Sequence, residues 1–190
     1  FIEEYGMIDA HDLVAAGVSG GADSVCLFYI LKEYCLKKNA RLVVVHVNHM
    51  IRDEASKDAD FVEKFCHDEG IEFYLFEKDI PTLAASKGVG TEEAGRMARY
   101  EAFEEVRAHF SEKGKIAVAH NRNDQAETTL FHLLRGAGLT GLSGIQPVRD
   151  HIIRPLLCVD RKEIEAYLTE NEKKRCIDFT NGENGYTRNK

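Results

Sequence analysis

Several features that mark other protein classes are missing from this sequence of 190 residues. No apolar run approaches the roughly 20 residues that a membrane-spanning helix needs, so we expect no membrane association. The five cysteines include no C-x-x-C pair and have no regular spacing, which argues against a zinc site or a disulfide framework. Such a scattered set favours reduced thiols, and we therefore expect a cytoplasmic protein. Internal repeats and low-complexity segments are absent as well.

The charge balance is acidic, with a formal net charge of −7 at pH 7. This balance argues against a strongly basic nucleic-acid surface on the chain. The charge is uneven, because residues 151–190 hold eight Lys and Arg against seven Asp and Glu, which leaves −8 for residues 1–150. If RNA is a partner, we expect most contacts to its phosphates to come from the C-terminal end, from further sequence or from another subunit.

Apolar runs of strand length alternate with amphipathic stretches of helical period along the chain. The predicted strands are residues 13–18, 41–47, 71–77, 116–120 and 152–157. This alternation is typical of a parallel sheet whose two faces are covered by helices. We therefore predict an α/β fold with a doubly wound, mainly parallel sheet of about five strands and helices on both faces.

Finer patterns predict how individual segments behave. Residues 84–90 are rich in small side chains and predict an irregular loop on the carboxyl side of the sheet. A helix capped by Asn123 is predicted to turn an apolar stripe to the core, formed by Ala126, Leu130, Leu133 and Leu134. Asp160 and Glu163 resemble a capping box that opens the last helix. We expect a main domain over residues 1–158 and a C-terminal helix with the start of a linker over residues 159–190.

One stretch, Ser19-Gly20-Gly21-Ala22-Asp23-Ser24, lies between the first predicted strand and a predicted helix. Paired glycines let backbone N–H groups point inward, and the helix N-terminus adds unpaired donors and a partial positive charge. The turn therefore suits phosphate, at the place where α/β sheets bind ligands. A strand–glycine–helix turn that binds no ligand is the alternative interpretation.

This loop contains no lysine, so it is not a Walker P-loop, which requires Gly-x-x-x-x-Gly-Lys followed by Ser or Thr. Backbone and hydroxyl groups would have to hold any phosphate here. Asp23 would repel bare phosphate but suits a metal–phosphate complex, so the loop predicts a site for Mg²⁺ and pyrophosphate. Ser-Gly-Gly-x-Asp-Ser resembles the signature of the PP-loop ATP pyrophosphatases, which cleave ATP between the α and β phosphates.

Two groups of basic residues are expected at the same carboxyl edge of the sheet. His46 ends the second predicted strand, where the backbone is placed to read the edge of adenine. Its imidazole could equally be a satisfied strand-end histidine. Arg96 and Arg99 lie in the first half of a helix that begins at this edge. They could reach a ligand, or they could pair with the nearby Glu92 and Glu93.

An acidic group is predicted beside them. His120 ends the fourth predicted strand, and Asp124 and Glu127 follow one turn apart at the start of the next helix. Asp23 and Asp124 could share a Mg²⁺ ion, which prefers carboxylates together with water and substrate phosphates. In the alternative interpretation, Asp124 complements the helix dipole and Glu127 is solvated.

A set of motifs along the chain resembles the tRNA(Ile)-lysidine synthetases, a family of PP-loop enzymes. The motifs, in family order, are S-G-G-A-D-S, H-V-N-H-M-I-R, E-E-A-G-R-M-A-R-Y, A-H-N-R-N-D-Q-A-E-T, L-L-R-G-A-G-L-T-G-L-S-G-I, R-P-L-L and the terminal Y-T-R-N. The resemblance covers nearly the whole chain. The first motif indicates only the superfamily, and the later ones select this family.

The resemblance implies an ATP-dependent ligase. In this family, ATP adenylates the C2 oxygen of the wobble cytidine in the CAU anticodon of an isoleucine tRNA, and pyrophosphate leaves. The ε-amine of L-lysine then displaces AMP to give lysidine. ATP, Mg²⁺, L-lysine and this tRNA are thus the implied cofactors and partners. The family continues past Y-T-R-N, so residues 1–158 would be the catalytic domain and residues 159–190 would lead toward domains that bind tRNA.

The resemblance also implies roles for individual residues. ATP would be bound by Ser19, Gly20, Gly21, Ala22, Asp23, Ser24, His46, Val47 and Asn48. The catalytic set would be Asp23, Arg99, His120 and Asp124, with Asp23 and Asp124 on the metal and with Arg99 and His120 stabilising charge on the α-phosphate. Glu127 would lie near the lysine or the metal. RNA or nucleotide would approach the Gly136–Gly144 loop, represented by Arg135, Gly136 and Gly138.

Two positions depart from the family pattern, which often has a second His and a first Asp where this chain has Asn121 and Asn123. A mechanism that uses either side chain as base or metal ligand is therefore not expected. A tRNA thiolase would be expected to use paired or catalytic cysteines, and an amidotransferase-type synthetase would need an amidase partner. A non-catalytic adenine-nucleotide-binding module is the alternative of a different class. A homodimer is compatible with the sequence.

Overall fold

A single sheet with helices on both faces organises the chain in the computed structural model, which describes residues 1–50, 55–110, 113–136 and 143–173. The strands are β1 (Leu13–Gly17), β2 (Arg41–Asn48), β3 (Glu72–Glu77), β4 (Lys115–Ala117), β5 (Val148–Arg149) and β6 (Ile152–Ile153). The helices are α1 (Ala22–Lys38), α2 (Ala55–Asp68), α3 (Ile80–Lys87), α4 (Thr91–Phe110), α5 (Arg122–Leu134) and α6 (Arg161–Glu170).

Within these described ranges, the sheet has six strands in the order β3-β2-β1-β4-β6-β5. Every neighbouring pair is parallel except β5 and β6, which pair antiparallel with Val148 opposite Ile153. The predicted doubly wound, mainly parallel α/β fold is confirmed. The sheet exceeds the expected five strands by β5, whose two residues are too short to give a sequence signal.

Alternate residues of the central strands face two separate apolar layers. Val14 and Val44 join α1, α2 and α6 on one face, where Phe28 is fully buried. Val43 and Val45 meet α4 on the other face, through Phe103 among others. Burial on both sides explains why β2 reads as a continuous β-branched run instead of an alternating one.

Gly17, the last residue of β1, lies directly under the ring of Phe103. A Cβ atom added to Gly17 would lie only 2.5 Å from Phe103 Cζ. The absent side chain therefore lets α4 approach the end of β1, immediately before the glycine loop.

Residues 80–87 form helix α3, so the prediction of an irregular loop from residue 84 was wrong over most of that segment. Asp79 caps the helix by accepting hydrogen bonds from the backbone N–H and the hydroxyl of Thr82, and Pro81 lies in the first turn. Proline is preorganised for that position and Asp is a favoured N-cap. Together these two residues favour a helix more strongly than the small residues that follow favour a loop.

Helix α5 does not turn its apolar stripe into the core, and this prediction was also wrong. Within the described ranges, α5 has no buried residue, and Leu130, Leu133 and Leu134 are 56%, 57% and 77% exposed. The periodicity is genuine, but the described part of the chain places no layer against that face. The N-cap of α5 is Asn121 and not Asn123.

Helix α6 packs against the core of the same sheet, through the buried side chains of Ile164 and Leu168. The capping box of Asp160 and Glu163 is confirmed by both of its hydrogen bonds. The boundary after residue 158 stays a prediction. Among the described residues, no helix is long and apolar enough to cross a membrane.

Candidate active site

The candidate site lies where the strand order reverses. β1 is the central strand from which the chain proceeds first outward to β2 and β3, and later to β4 on its other side. The loop after β1 and the segment after β4 therefore flank a crevice at the carboxyl ends of the strands. In open α/β sheets this is where ligands bind.

The Ser19–Ser24 loop is held open by its own hydroxyl groups. Ser24 Oγ accepts a hydrogen bond from the backbone N–H of Ser19 at 3.2 Å and donates one to the carbonyl of Gly21 at 2.9 Å. Gly20 has a φ of 91°, a value that side-chain-bearing residues rarely adopt. Gly21 is the N-cap of α1 and supplies no side-chain cap, so the helix N-terminus is left for another acceptor.

Asp23 occupies the first turn of α1 and is only half satisfied. Its Oδ2 accepts a hydrogen bond from Arg161 Nη1 at 2.6 Å, whereas its buried Oδ1 has no hydrogen-bond partner among the described residues. Burial raises the pKa of the Asp23 carboxyl, and the nearby Asp124 raises it further, although Arg161 opposes both effects. The loop thus holds a carboxylate at an energetic cost, as functional sites often do.

Asp124 approaches Asp23 from the start of α5. Its Oδ2 accepts from the backbone N–H of Asn121 at 2.9 Å, and Asn121 Oδ1 accepts in turn from the backbone N–H of Asp124 at 3.2 Å. Asp124 therefore closes a capping box, while its charge also acts on Asp23. Asn121 is 4% exposed, and its side chain caps α5 by accepting from the backbone N–H groups of Asn123 and Asp124.

His46 turns inward and supports the loop from behind. Its Nδ1 lies 2.8 Å from the carbonyl oxygen of Val18, and the side chain is 4% exposed. Because a carbonyl only accepts, Nδ1 carries the proton; burial lowers the pKa of this imidazole. Asn48 is also engaged, since its Oδ1 accepts from the backbone N–H of Met50. The side chains on both sides of Val47 are thus engaged in hydrogen bonds, and the backbone at this strand end is what remains to contact a ligand.

His49 and Arg99 bring α4 to the crevice. A Cβ atom on Gly95 would stand 3.1 Å from His49 Cε1, so a glycine allows this imidazole to lie against the helix. Burial lowers the pKa of His49, and the positive charge of Arg99 lowers it further. Arg99 donates from Nε to the carbonyl of Gly95 at 3.4 Å. Among the described residues, Arg99 forms no ion pair with Glu92 or Glu93, although the charge of Glu92 acts on it.

His120 lies at the other side of the crevice with the buried Arg154. Arg154 Nε donates to His120 Nδ1 at 3.3 Å, and Arg154 Nη1 donates to the carbonyl of Gln146 at 2.6 Å. Burial lowers the pKa of His120, as does Arg154, with smaller effects in the same direction from Arg96 and Arg99. The charge of Arg99 thus acts on His120, and a shared role of the two on the α-phosphate stays a prediction.

The remaining predicted residues lie farther along α5. Glu127 is exposed on that helix. Arg135 is its C-cap and stacks on Phe131, with 3.8 Å between the guanidinium carbon and the ring centroid. Gly136 has a φ of 71° and ends the helix. Gly138 and most of the predicted Gly136–Gly144 loop lie outside the described residues.

Sequence reasoning assigned no role to two arginines at this site. Arg154 interrupts an apolar run that includes Ile152 and Leu156, and a charged residue in such a run signals a buried, hydrogen-bonded group. Arg161 follows the N-cap of α6, and nothing in its local sequence indicates that it reaches Asp23. Only the packing of α6 on α1 brings these two side chains together.

Comparison with known families agrees with this geometry. A family model described as a PP-loop domain matches residues 2–190, nearly the entire chain. The chain belongs to the PP-loop domain family.

Curated relatives of this PP-loop domain carry one recurring name. The chain is 53% identical to the tRNA(Ile)-lysidine synthase of Caldanaerobacter subterraneus subsp. tengcongensis, over 100% of this chain and 40% of that protein. It is 46% identical to the enzyme of the same name from Clostridium acetobutylicum, over 100% of this chain and 41% of that protein. The PP-loop domain therefore spans about two fifths of the length of these relatives.

Solved structures show the same fold in more distant proteins. The U34-tRNA thiolase NcsA of Methanococcus maripaludis matches with a TM-score of 0.70 and 23% identity, covering 93% of this chain and 64% of that one. An NH3-dependent NAD synthetase from Campylobacter jejuni matches with a TM-score of 0.55 and 19% identity, covering 90% and 68%. At these identities, the similarity concerns the fold of the PP-loop domain alone.

Proposed function

We propose that this chain is the catalytic part of a tRNA(Ile)-lysidine synthetase. The proposed reaction joins L-lysine to C2 of the wobble cytidine in the CAU anticodon of isoleucine tRNA, through an adenylated tRNA intermediate and with release of pyrophosphate and AMP. The observation that carries this proposal is the 53% identity to a tRNA(Ile)-lysidine synthase over the full length of the chain. The thiolase and the NAD synthetase share only the fold, so neither rival function is favoured.

The nucleotide is assigned to the Ser19–Ser24 loop, and family membership supports ATP as that nucleotide. The N-terminus of α1 lacks a side-chain cap, and its free donors and partial positive charge suit phosphate oxygens. Adenine would lie against the backbone at the end of β2, since the His46 and Asn48 side chains are already engaged. His46 would then act by holding Val18 and not by touching the base.

Mg²⁺ fits the two carboxylates of this crevice. Asp23 Oδ1 is buried without a partner, and the negative charge of Asp124 acts on the same carboxyl. No group of three or more His, Cys, Asp or Glu suited to a metal exists among the described residues, so the remaining ligands would be water and phosphate. That ligand set is typical of Mg²⁺, which would neutralise charge on the phosphates when bound.

Charge that develops on the α-phosphate during adenylation would be stabilised by Arg99 and His120. Asp124 and Glu127 lie on one side of α5 and would receive the lysine amine. Arg135 and Gly136, at the end of α5, would meet the RNA or the nucleotide. Self-association into a homodimer and a cytoplasmic location both stay predictions.

A direct assay tests this function. The full-length protein is incubated with ATP, radiolabelled lysine and isoleucine tRNA bearing CAU, and label in the RNA is measured. We expect incorporation that depends on ATP and is lost when the anticodon is changed. Asp23→Asn should lose about 100-fold or more in rate, on the scale of removing one key electrostatic group. Absence of label, with active controls from a known enzyme, would refute the proposal.

A further inference from the structure

Arg154 is a buried cation without an anion. It is 4% exposed, yet no carboxylate of the described part of the chain is among the groups that act on it. The charged and titratable groups that act on it are Tyr100, Arg149 and Arg96, and two of these are positive. Burial of a guanidinium without an anion costs free energy of folding unless its N–H groups donate hydrogen bonds.

The hydrogen bond from Arg154 to His120 fixes where the imidazole holds its proton. Arginine does not lose its proton in proteins, so Arg154 Nε is a donor only. His120 Nδ1, at 3.3 Å, must therefore offer a lone pair. A neutral imidazole whose Nδ1 accepts carries its hydrogen on Nε2. Hydrogen on Nδ1 would face the N–H group of Arg154, and an imidazolium would in addition place two positive charges side by side.

Nε2, the other ring nitrogen of His120, points away from the hydrogen bond with Arg154. It makes no hydrogen bond with a described residue, and it is not among the buried side-chain atoms that lack a partner. His120 as a whole is only partly buried. The charged groups that face His120 are Arg154 from the segment after β6, Arg96 and Arg99 from α4, and Asp124 from α5. The three arginines disfavour an imidazolium, and Asp124 favours one.

We propose that Arg154 is a positioning residue that holds His120 as the neutral Nε2–H tautomer and so presents a fixed hydrogen-bond donor to a phosphate in the crevice. The tautomer stands on geometry alone, whereas the phosphate acceptor rests on the proposed function. His120 is then a donor at every stage of the reaction. It does not serve as a base through Nδ1.

Nitrogen NMR of protein labelled with ¹⁵N-histidine tests the tautomer without any activity measurement. The His120 signals are assigned by their absence from the spectrum of His120→Gln. At pH 7 the unmodified protein should show hydrogen on Nε2 and a bare Nδ1. A His120 that carries hydrogen on Nδ1, or on both nitrogens, overturns the proposal, whatever any Arg154 variant does.

Substitution of the arginine tests the cause. Arg154→Met removes the donor, and we expect the Nδ1–H tautomer of His120 to become populated. Arg149→Met is the matched control, because it removes a nearby positive charge from an exposed position without touching His120. An unchanged tautomer in a folded Arg154→Met protein would show that Arg154 is merely structural.

Kinetics then separate this inference from the proposed function. If the full-length protein makes lysidine, Arg154→Met should lower kcat about 10- to 100-fold while KM for ATP changes little, because the donor is misdirected and not removed. In a His120→Gln background, Arg154→Met should cause no further loss. An equal loss in both backgrounds would contradict positioning through His120. An Nε2–H tautomer in a protein that makes no lysidine would refute the proposed function alone.

Discussion

Replacement of Gly17 by alanine gives a quantitative test of how closely α4 packs beneath the nucleotide loop. The added Cβ would lie 2.5 Å from Cζ and 3.1 Å from Cε1 of Phe103, whereas ordinary van der Waals contact begins near 3.4 Å. The ring must therefore retreat by about 1 Å. Phe103 is 4% exposed and surrounded by the second apolar layer, so there is no open space to receive it.

Overpacking of this kind should lower the free energy of unfolding by about 1–3 kcal/mol. Phe103→Leu removes the atoms that clash and by itself should cost about 1–2 kcal/mol through the cavity it leaves. The double variant should then be more stable than the sum of the two single losses predicts, by at least about 0.5–1 kcal/mol. Because Gly17 and Val18 lead directly into Ser19, ATP affinity should fall in Gly17→Ala and recover in the double variant.

Urea unfolding followed by circular dichroism, on the four proteins of this cycle, measures the coupling. Equal slopes of the transitions are required, so that changes in midpoint report stability. Strictly additive losses would refute the reasoning, because they would mean that the alanine at 17 and the ring at 103 do not compete for the same volume. A Gly17→Ala protein as stable as the unmodified one would refute it as well.

Three further predictions follow from other contacts. Arg161→Gln should destabilise the protein by about 1 kcal/mol at pH 7, because it leaves the partly buried Asp23 carboxylate without its partner. Since the pKa of Asp23 is already raised and Arg161 opposes that rise, the loss of stability should shrink as the pH falls through this pKa. Urea unfolding at pH 7 and pH 4, with Arg161→Lys as control, checks the sign of this change. Replacement of both Leu133 and Leu134 by lysine should change the free energy of unfolding by less than about 0.5 kcal/mol, because both side chains are exposed. Ile164→Ala, in the core, should lower it by about 2–5 kcal/mol. A large loss in the first variant would show that a layer covers α5. Burial raises the pKa of Cys26 to about 11 and those of Cys35 and Cys66 to about 12. These thiols should therefore resist a disulfide reagent at pH 8 in the folded protein and react after unfolding. Rapid labelling of any of them in the folded protein, located by mass spectrometry, would contradict their burial in the core.

The sheet could be predicted from the sequence because its information is local. Val43, Val44 and Val45 indicate a strand buried on both faces, and the Ser19–Ser24 loop marks the strand-to-helix turn at the switch point. The error at α3 was avoidable, since Asp79 and Pro81 are ordinary start signals for a helix. The error at α5 was of another kind, because Leu130 and Leu133 have a core-like period and no local feature tells whether another layer covers them.

The charges of Asp23 and Asp124 act on each other, and that of Arg99 acts on His120, but the hydrogen-bond partners of these residues were not foreseen. Asp23 and Asp124 each follow a strand that ends at one edge, so their proximity follows from topology. Asn121, which looked like a departure from the family pattern, is explained by its capping bonds to α5. Arg154 and Arg161 act across the fold, over 34 and 138 residues of sequence, and contacts so distant leave no trace in local patterns.

The bond between Asp23 and Arg161 also has a consequence for the order in which the protein is made. Asp23 is translated 138 residues before its partner, and Arg161 is further tied to α5 through Asn123. Contacts of such long range form late, because a long loop must close first. A nascent chain that has completed β1, α1 and β2 therefore holds a glycine loop with an unpaired carboxylate. Competence to hold a nucleotide should appear during synthesis only after α6 has docked.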